Sequence, residues 1–292
     1  MRWFQALSPT ARGIVLMTAA MAIFSVQDTI AKSLTTYHHP IQVVWARYTS
    51  ATLVVFLALA PRLKTLLVTR RLKLQVLRSG FLFAATMCFF SAISQIGLAR
   101  ATATFEVTPL VITLLAFVVL REQVGLRRII GILAGLVGAL IIIRPGGDLF
   151  TLYAALPLAA SFFYASYVVS TRFLSRDESA LTSLLYTSVF GTIAASIIVI
   201  PYWTTPDLLQ AVMMLSMGVS AGIGHYFVIR SLSLAQAGAV APFTYVGLIF
   251  ATILGLVVFG EWPDAMTILG ALVIVGSGLY VWRREQQLAV SS

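Results

Sequence analysis

Charged side chains make up only 10% of this 292-residue chain, so those within long apolar stretches are candidates for chemistry. Placing an ionised group in an apolar environment is costly unless it is paired or hydrated. Asp28 and Lys32 are four residues apart and therefore share one face of a helix. They either neutralise each other or help to close an outer gate and to hold a zwitterion. We predict a gate or charge network that consists of Asp28, Lys32, Arg47, Arg100 and Arg230.

A second set of residues has the chemistry to hold a small molecule. Glu106 offers a carboxylate, His225 titrates near neutral pH, and aromatic rings suit an apolar or aromatic ligand. The predicted substrate-binding residues are Glu106, His225, Tyr164, Tyr245, Phe90, Phe163 and Gln27. Two alternatives stay open: His225 is a proton carrier or a hydrogen-bonded packing residue, and each ring lines a site or packs against its neighbours.

Motifs for catalysis and for metal binding are missing from the sequence. The chain has three histidines and a single cysteine, Cys88, and no spacing among them predicts a zinc site. It has neither a phosphate-binding Gly-Lys-Ser/Thr loop nor a Gly-x-Ser-x-Gly nucleophile motif. We therefore predict no catalytic residue, no metal, no cofactor and no ATP hydrolysis by this chain.

The composition predicts the elements that position these residues. Hydrophobic residues make up 59% of the chain and the mean hydropathy is +0.94, whereas a soluble domain carries about 25% charged residues. The uncharged stretches approach the roughly 20 residues needed to cross a bilayer. We predict an all-α integral membrane protein with ten transmembrane helices, near residues 12–33, 41–60, 75–98, 101–120, 127–144, 149–172, 179–201, 207–232, 237–259 and 264–283.

The positive charges predict the orientation of the chain. With a cytoplasmic N-terminus, 15 of the 20 Lys and Arg residues fall on the cytoplasmic side, and basic loops resist translocation. Both termini are therefore predicted to be cytoplasmic. The net charge of +10 is explained by topology, since the basic residues lie between apolar spans, and no nucleic acid is a predicted partner. The first apolar stretch is predicted to be an uncleaved span, because no small-residue cleavage site follows it.

Internal similarity divides the chain into two halves. Residues 107–144 match residues 246–283 at 11 of 38 positions at an offset of 139. An odd number of spans in each half makes the second half enter the membrane from the opposite face, so the repeats are inverted. We predict an N-terminal five-helix repeat over residues 1–146 and an inverted C-terminal five-helix repeat over residues 147–292, around a central cavity.

Several short motifs carry a resemblance to a known family. They are Thr108-Pro109-Leu110, the span ends Leu120-Arg121-Glu122 and Phe259-Gly260-Glu261, and the residues Gly131, Gly270, Arg47, Gly80 and Gly218. In order and spacing, over almost the whole chain, they resemble the ten-helix EamA-type carriers of the drug/metabolite transporter superfamily. The chain looks closest to the amino-acid exporters, including the aromatic amino-acid exporters. The resemblance implies a cavity lined by spans 1, 3, 4, 6, 8 and 9. One departure is Leu248, which stands where the repeat would place a second proline.

The leading hypothesis is a secondary transporter in the cytoplasmic membrane that exports amino acids or related metabolites by alternating access. The alternatives are a broad-specificity efflux carrier for lipophilic cations, a membrane-embedded enzyme, and a scaffold or sensor. A cation carrier would favour a membrane carboxylate without paired cations, whereas Lys32 and Arg100 lie near Asp28 and Glu106 in the sequence. The predicted partners are a small-molecule substrate and the lipid bilayer, with protons as a candidate coupling ion. The predicted state is a monomer or a weak dimer.

Overall fold

A computed structural model describes residues 7–120, 126–144, 151–174, 178–235 and 241–291 of the chain, and these residues form helices and turns with no strand among them. The motif residues Arg121 and Glu122, the predicted boundary near residue 146 and the start of the predicted span 237–259 lie outside the described residues. In chain order the α-helices are α1 (Pro9–Leu34), α2 (Pro40–Leu59), α3 (Leu63–Leu66), α4 (Leu72–Ile96), α5 (Leu98–Phe105), α6 (Thr108–Leu120), α7 (Leu126–Ile143), α8 (Leu152–Leu174), α9 (Ala180–Val199), α10 (Leu208–Leu234), α11 (Val246–Phe259) and α12 (Ala265–Ser291). Short 3-10 segments occupy Ala60–Arg62, Ile200–Tyr202 and Ala241–Tyr245.

Six of these helices, α1, α2, α4, α8, α9 and α10, are long and apolar enough to cross a membrane. Shorter apolar helical segments run over Ile129–Ile143, Phe243–Phe259 and Ala265–Tyr280. The predicted span 101–120 is divided between α5 and α6, which the turn at Glu106 and Val107 separates. The all-helical membrane architecture agrees with the sequence, while the count of ten spans and the inversion of the repeats stay predictions.

Local sequence signals explain where the long helices begin. Ser8 caps α1 by accepting a hydrogen bond from the Ala11 backbone N–H at 3.2 Å, and Pro9 takes the first helical position. Asp207 and Gln210 form a reciprocal capping box at the start of α10. Such caps satisfy backbone donors that have no partner inside the helix.

Glycines with positive φ angles mark two helix ends. Gly97 (φ 87°) separates α4 from α5, and Gly260 (φ 67°) ends α11 in the left-handed region. A side chain at either position would strain the backbone.

The helices pack in pairs. The most extensive contacts join α1 to α10, α4 to α8 and α7 to α12, while α2 packs against both α9 and α10. In addition, α11 packs on α1 and α6 packs on α8. The approach of α7 to α12 is close because both lack side chains at the crossing: a Cβ on Gly138 would stand 2.9 Å from the carbonyl oxygen of Gly270.

We refer to the two ends of the bundle by residues that lie there. The Lys32 end contains the C-terminal end of α1 and the N-terminal end of α2, and the Arg78 end contains the N-terminal ends of α1 and α4. A fully buried apolar cluster lies at the Lys32 end, formed by Ala31, Leu34, Val43, Val44, Ala92, Ile93, Leu98 and Ala101 with further neighbours. The outward faces of the long helices are apolar and exposed, as at Leu57, Ile200 and Leu208. A lipid bilayer is the environment that such a surface requires.

Hydroxyl groups bond back to the helix along much of α8. Ser161, Ser166, Ser170 and Thr171 each donate to the carbonyl oxygen four residues earlier, at 2.6 to 2.9 Å. Pro157 also lies inside this helix. Both features loosen the regular backbone ladder of an α-helix.

Candidate functional site

A cavity of about 350 Å³ lies in the middle of the helix bundle. Its walls come from α1, α2, α4, α8, α10, the 3-10 segment Ala241–Tyr245, α11, and α5 and α6 around their junction. Its polar lining residues are Ser25, Gln27, Asp28, Arg47, Thr86, Thr102, Glu106, Thr108, Tyr164, His225 and Thr244. A size of this order lies at the lower end of the range for small-molecule sites.

The break between α5 and α6 is what brings Glu106 to the cavity. Pro109 has no N–H, so the carbonyl oxygen of Phe105 loses its helical partner four residues later. Two hydroxyls replace that partner: Thr108 Oγ1 donates to the Phe105 oxygen at 2.5 Å, and Ser161 Oγ of α8 donates to it at 3.1 Å. The backbone polar group is thereby satisfied where the chain leaves the helix, and Glu106 stands at the turn.

Arg47 and Asp28 form the charged part of the cavity wall on the side of α1 and α2. The Arg47 guanidinium donates to Thr86 Oγ1 at 2.7 Å and lies 5.8 Å from the centre of the Phe90 ring. Asp28 interacts electrostatically with Arg47. Opposite charges that approach in an apolar environment stabilise each other's ionised forms.

Glu106 has no comparable partner. Within the described residues, no hydrogen bond or ion pair reaches its carboxylate. Gly247 of α11 faces this carboxylate, since a Cβ at position 247 would stand 3.8 Å from Glu106 Oε1. A buried carboxylate without a partner carries an uncompensated desolvation cost.

Other polar atoms in the cavity wall also lack a hydrogen-bond partner. Among the described residues these include Gln27 Oε1, Thr102 Oγ1 and Arg47 Nε. Gln27 is only 2% exposed, and buried polar atoms in folded proteins are almost always bonded. A ligand or water in the cavity would supply the missing partners.

A row of aromatic rings begins in the cavity wall, at Phe89, Phe105 and Tyr164, and continues beyond the cavity to Tyr167. The ring centres of Phe89 and Phe105 are 5.1 Å apart, those of Phe105 and Tyr164 are 5.7 Å apart, and those of Tyr164 and Tyr167 are 5.6 Å apart. At its far end the Arg78 guanidinium stacks over Tyr167 at 4.4 Å. These spacings are those of favourable aromatic pairs, and we call Phe89, Phe105, Tyr164 and Tyr167 the aromatic wall.

His225 lines the cavity and makes the contacts of a hydrogen-bonded packing residue, while its role as a proton carrier stays a prediction. Its Nδ1 bonds to the carbonyl oxygen of Ala221 at 2.8 Å, so that nitrogen carries the proton. Its ring packs edge-on against Phe24 with centres 5.1 Å apart. His225 is therefore a packed, hydrogen-bonded residue that also lines the cavity.

The family of the chain follows from comparison with known proteins. Residues 11–144 and residues 151–283 each match the EamA-like transporter family. The chain belongs to the EamA-like transporter family. It is thus a multi-pass membrane transporter for small metabolites, and the coarser part of the sequence-based prediction is confirmed.

Named relatives of this EamA-like chain carry different substrates. It is 26% identical over 285 residues to the S-adenosylmethionine uptake transporter of Rickettsia prowazekii (strain Madrid E), covering 97% of this chain and 96% of the relative. It is 31% identical over 198 residues to the riboflavin transporter of Vibrio cholerae, covering 65% and 66%. It is 27% identical over 266 residues to the pseudopaline exporter CntI of Pseudomonas aeruginosa, covering 90% and 93%. These relatives do not single out the amino-acid exporters.

A solved crystal structure has a similar fold. It superposes with a TM-score of 0.66 at 18% sequence identity, covering 95% of this chain and 99% of that chain. At this identity the likeness concerns the fold alone.

Seven of the predicted site residues of this EamA-like protein line the cavity. They are Glu106, His225, Tyr164, Phe90, Gln27, Asp28 and Arg47. The sequence analysis did not propose Thr86 and Thr102, although each lies four residues from another lining residue, Phe90 and Glu106, and so shares its helix face.

Two predicted substrate-binding residues lie outside this lining. Tyr245 is 8% exposed and packs at the crossing with α12, where its ring fills the space beside Gly278. Phe163 packs edge-on against Phe162, with centres 6.0 Å apart, on a face of α8 other than that of Tyr164. Tyr245 thus packs between helices, whereas the ring contact of Phe163 lies within α8.

Three predicted members of the charge network are also elsewhere, and they do not form one network. Lys32 forms an ion pair with Glu261 and does not pair with Asp28. Arg100 donates to the carbonyl oxygens of Ile142 and Ile143, at 3.0 and 3.4 Å. Arg230 is exposed on α10. The reason is that helix ends offer these long side chains nearby carbonyl and carboxylate partners, whereas spacing along one helix gives only a shared face.

The ion pair of Lys32 belongs to a three-part contact at the Lys32 end, which we call the latch. Glu261 pairs with Lys32 of α1, accepts a hydrogen bond from the Leu98 backbone N–H at the start of α5 at 3.2 Å, and follows the C-terminal end of α11. Lys32 Nζ also lies 4.5 Å above the centre of the Phe259 ring. A carboxylate at the start of a helix is favoured by the helix dipole. The latch thus joins α1, α5 and α11 one helical turn beyond Asp28.

A second ion pair at the same end lies outside the cavity. Arg144 at the end of α7 donates to Asp264 Oδ1 at 2.5 Å, and Asp264 caps α12 by accepting from the Thr267 N–H at 2.7 Å. Partial burial opposes ionisation of Asp264, but the hydrogen bonds from Thr267 and Arg144 outweigh it and lower its pKa. This contact joins the two helices α7 and α12.

Proposed function

We propose that this protein is a secondary carrier of the bacterial inner membrane that exports amino acids or related small metabolites by alternating access. The central cavity is the substrate site, and Glu106, Gln27, Asp28 and Arg47 are its polar contacts. The observation that supports this most is a polar cavity at the centre of an apolar helix bundle, closed at the Lys32 end by buried side chains and by the latch. Polar groups at membrane depth mark substrate pathways.

The packing of the helices supports an exchange between two halves. If α1, α2, α4, α5–α6 and α7 correspond to α8, α9, α10, α11 and α12, the most extensive contacts form matched pairs. The α1–α10 contact corresponds to α8–α4, the α2–α10 contact to α9–α4, and the α1–α11 contact to α8–α6. Two other extensive contacts, α2–α9 and α7–α12, each correspond to themselves. Two halves that can exchange conformations are the basis of alternating access.

Two further observations support the same division. The family match is double, over residues 11–144 and 151–283, on either side of the predicted boundary. At the offset of 140, Phe24 corresponds to Tyr164 and Asp28 to Val168, and all four line the cavity. The orientation with both termini in the cytoplasm then assigns the Lys32 end to the outer face.

The substrate is tested with the compounds that the relatives and the family resemblance suggest. We would measure counterflow into proteoliposomes of labelled tryptophan, phenylalanine, S-adenosylmethionine and riboflavin, with the internal and external concentrations exchanged to measure both directions. Transport of an amino acid is the expected result. Transport of S-adenosylmethionine or riboflavin alone would retain the carrier mechanism and replace the substrate.

The mechanism is tested by holding the latch shut. In a Cys88→Ser background, Lys32→Cys with Glu261→Cys would be joined by a short bifunctional thiol reagent that a reductant can cleave. We expect cross-linking to stop counterflow and reduction to restore it, because opening of the Lys32 end requires α1 to separate from the end of α11. The matched control joins Arg144→Cys to Asp264→Cys, the other ion pair of that end, and should leave counterflow within about twofold of the uncross-linked rate. Normal transport with the latch cross-linked would overturn alternating access through the Lys32 end.

A further inference from the structure

The ionisable groups that line the cavity do not balance. The lining contains two carboxylates, Asp28 and Glu106, and one guanidinium, Arg47. The single positive charge of Arg47 can balance only one of the two carboxylates, and it acts on Asp28. An excess of one carboxylate remains, and among the described residues no cation acts on Glu106.

The cations expected near Glu106 from the sequence are committed elsewhere. Arg100, six residues earlier, points to the end of α7, and Lys32 is held by Glu261 in the latch. The other buried guanidinium near the cavity is that of Arg78, which donates to Thr171, Thr187, the Ser183 carbonyl oxygen and Tyr167. All of its donor nitrogens bond to neutral acceptors on α8 and α9, and Arg78 does not line the cavity. The sequence-based argument against a cation carrier, which rested on paired cations, therefore fails for Glu106.

The surroundings of Glu106 suit a cation that is attached to a flat ring. Phe105 precedes it in the chain and is the middle member of the aromatic wall, between Phe89 and Tyr164. Aromatic faces attract cations and stack against planar groups. Gly247, opposite the carboxylate, leaves open the space that a side chain would fill. A ligand whose cationic group pairs with Glu106 would thus have its ring within reach of the aromatic wall.

We infer that Glu106 is the counter-ion of the substrate and that the cavity selects organic cations that carry a planar ring. This inference rests on the proposed carrier function and places organic cations ahead of amino acids among its substrates. The ligand supplies the positive charge that no described residue places beside Glu106. Zwitterions such as amino acids follow cations in preference, because their carboxylate must approach a site that already contains two, and organic anions are rejected.

The test uses three probes with the same indole ring and different charges. They are N,N,N-trimethyltryptammonium as the cation, tryptophan as the zwitterion and indole-3-propionate as the anion. Binding to the purified full-length protein in detergent would be measured by calorimetry, which avoids any difference in membrane permeation. We expect the cation to bind at least about tenfold more tightly than the anion, as one charge-assisted contact provides, with tryptophan between them.

Substitutions at Glu106 test whether this carboxylate causes the preference for the cation over the anion. Glu106→Gln should abolish the difference between cation and anion, and Glu106→Asp, which keeps the charge, should retain most of it. The matched control is Glu178→Gln, the same chemical change at a carboxylate outside the cavity that accepts from Thr69 and the Arg70 backbone. That variant should keep the wild-type order.

The outcomes separate this inference from the carrier function. Equal binding of the three probes by the wild-type protein, no binding of the cation, or an unchanged preference in Glu106→Gln would each overturn the inference. If Glu106→Gln is not monodisperse, the inference is judged from the order of the affinities for the three probes in the wild type and in Glu106→Asp. If a neutral or anionic compound shows counterflow that stops when the latch is cross-linked, the carrier function is supported and the preference for cations is rejected. Unchanged counterflow through a cross-linked latch would overturn the proposed mechanism whatever the probes show.

Discussion

Two breaks in the helix bundle that correspond in the predicted repeat make different contacts. In the predicted first half the chain breaks between α5 and α6, and the residue at the break is Glu106. In the predicted second half a 3-10 segment, Ala241–Tyr245, precedes α11, and at the offset of 139 Tyr245 corresponds to Glu106. Glu106 lines the cavity without a partner, whereas Tyr245 is packed against α12. At positions that correspond in the predicted repeat, one break therefore places a carboxylate in the cavity wall and the other places a packed side chain between helices.

Position 278 of α12 and its counterpart in the predicted repeat, position 139 of α7, also differ. Tyr245 fits because position 278 of α12 is glycine: a Cβ there would overlap the tyrosine ring. The corresponding position in the first half is Ala139, which is fully buried in the cluster around Val107 and Leu110. A bulky residue with a glycine opposite it is typical of close helix packing.

The comparison is tested most strongly by truncating both residues. Tyr245→Ala should destabilise the protein by about 3 kcal/mol or more, since it removes a buried aromatic ring. Glu106→Ala should leave stability unchanged or raise it, because it removes an unpaired buried carboxylate, while transport falls. The midpoint of thermal unfolding in detergent, measured beside counterflow, checks both. Similar losses of stability for the two variants would remove the distinction.

A smaller effect is expected from glycine positions on α12. Gly278→Ala should cost about 1–3 kcal/mol, because the new methyl group displaces the Tyr245 ring. Gly276→Ala is the matched control, two residues away on the same helix, where a Cβ meets nothing within 4 Å. That control should be neutral or stabilising by up to about 1 kcal/mol, since alanine favours helix. Thermal unfolding of the pair measures the difference, and equal behaviour would show that Tyr245 does not fill this space.

Removing the Tyr245 hydroxyl tests whether this residue acts through the packing of its ring alone. Within the described residues it is buried without a hydrogen-bond partner, so Tyr245→Phe should change stability by less than about 0.5 kcal/mol or raise it. Counterflow should remain within about twofold of wild type. A strong loss of transport in Tyr245→Phe, with normal folding, would instead assign the hydroxyl to the transport path.

The smallest effect concerns the contact where the two halves meet. The pKa of Asp264 lies below its usual range because the hydrogen bonds from Thr267 and Arg144 outweigh its partial burial. Its contribution to stability is therefore present above the unfolded-state pKa of about 3.9 and is lost as the pH falls through the lower folded-state value. The group is largely exposed, so we expect about 0.5 kcal/mol or less after solvent screening. Unfolding midpoints of wild type and Asp264→Asn should converge below pH 4, and a constant difference down to pH 3 would contradict this.

The sequence predicted the elements well because bilayer-length apolar runs and Pro or Gly punctuation are local signals. Glu106 was also found, since an ionisable residue in an apolar span is conspicuous without a fold. The partner of Lys32 was not found, because Glu261 is 229 residues away and only packing brings α1 to the end of α11. Asp28 was the nearer candidate along the helix, but sharing a face does not outweigh a partner at the helix end.

The sequence could not distinguish the two residues at the breaks. Both Glu106 and Tyr245 were predicted to bind substrate, but only Glu106 lines the cavity. The signal that distinguishes them lies on another helix, at Gly278, and becomes visible only once α11 and α12 are known to cross there.

The hydroxyl groups along α8 have a mechanical consequence. A helix whose carbonyl oxygens are shared with Ser and Thr side chains has a lower bending stiffness, because part of each backbone bond can lengthen while the side-chain bond is kept. Four such shared carbonyls, together with Pro157, distribute this compliance from the Lys32 end of α8 towards its other end. In α11 the described residues show no such sharing. Bending is therefore easier along α8, which lines the cavity at Tyr164 and Val168, than along α11, which lines it at Gly247.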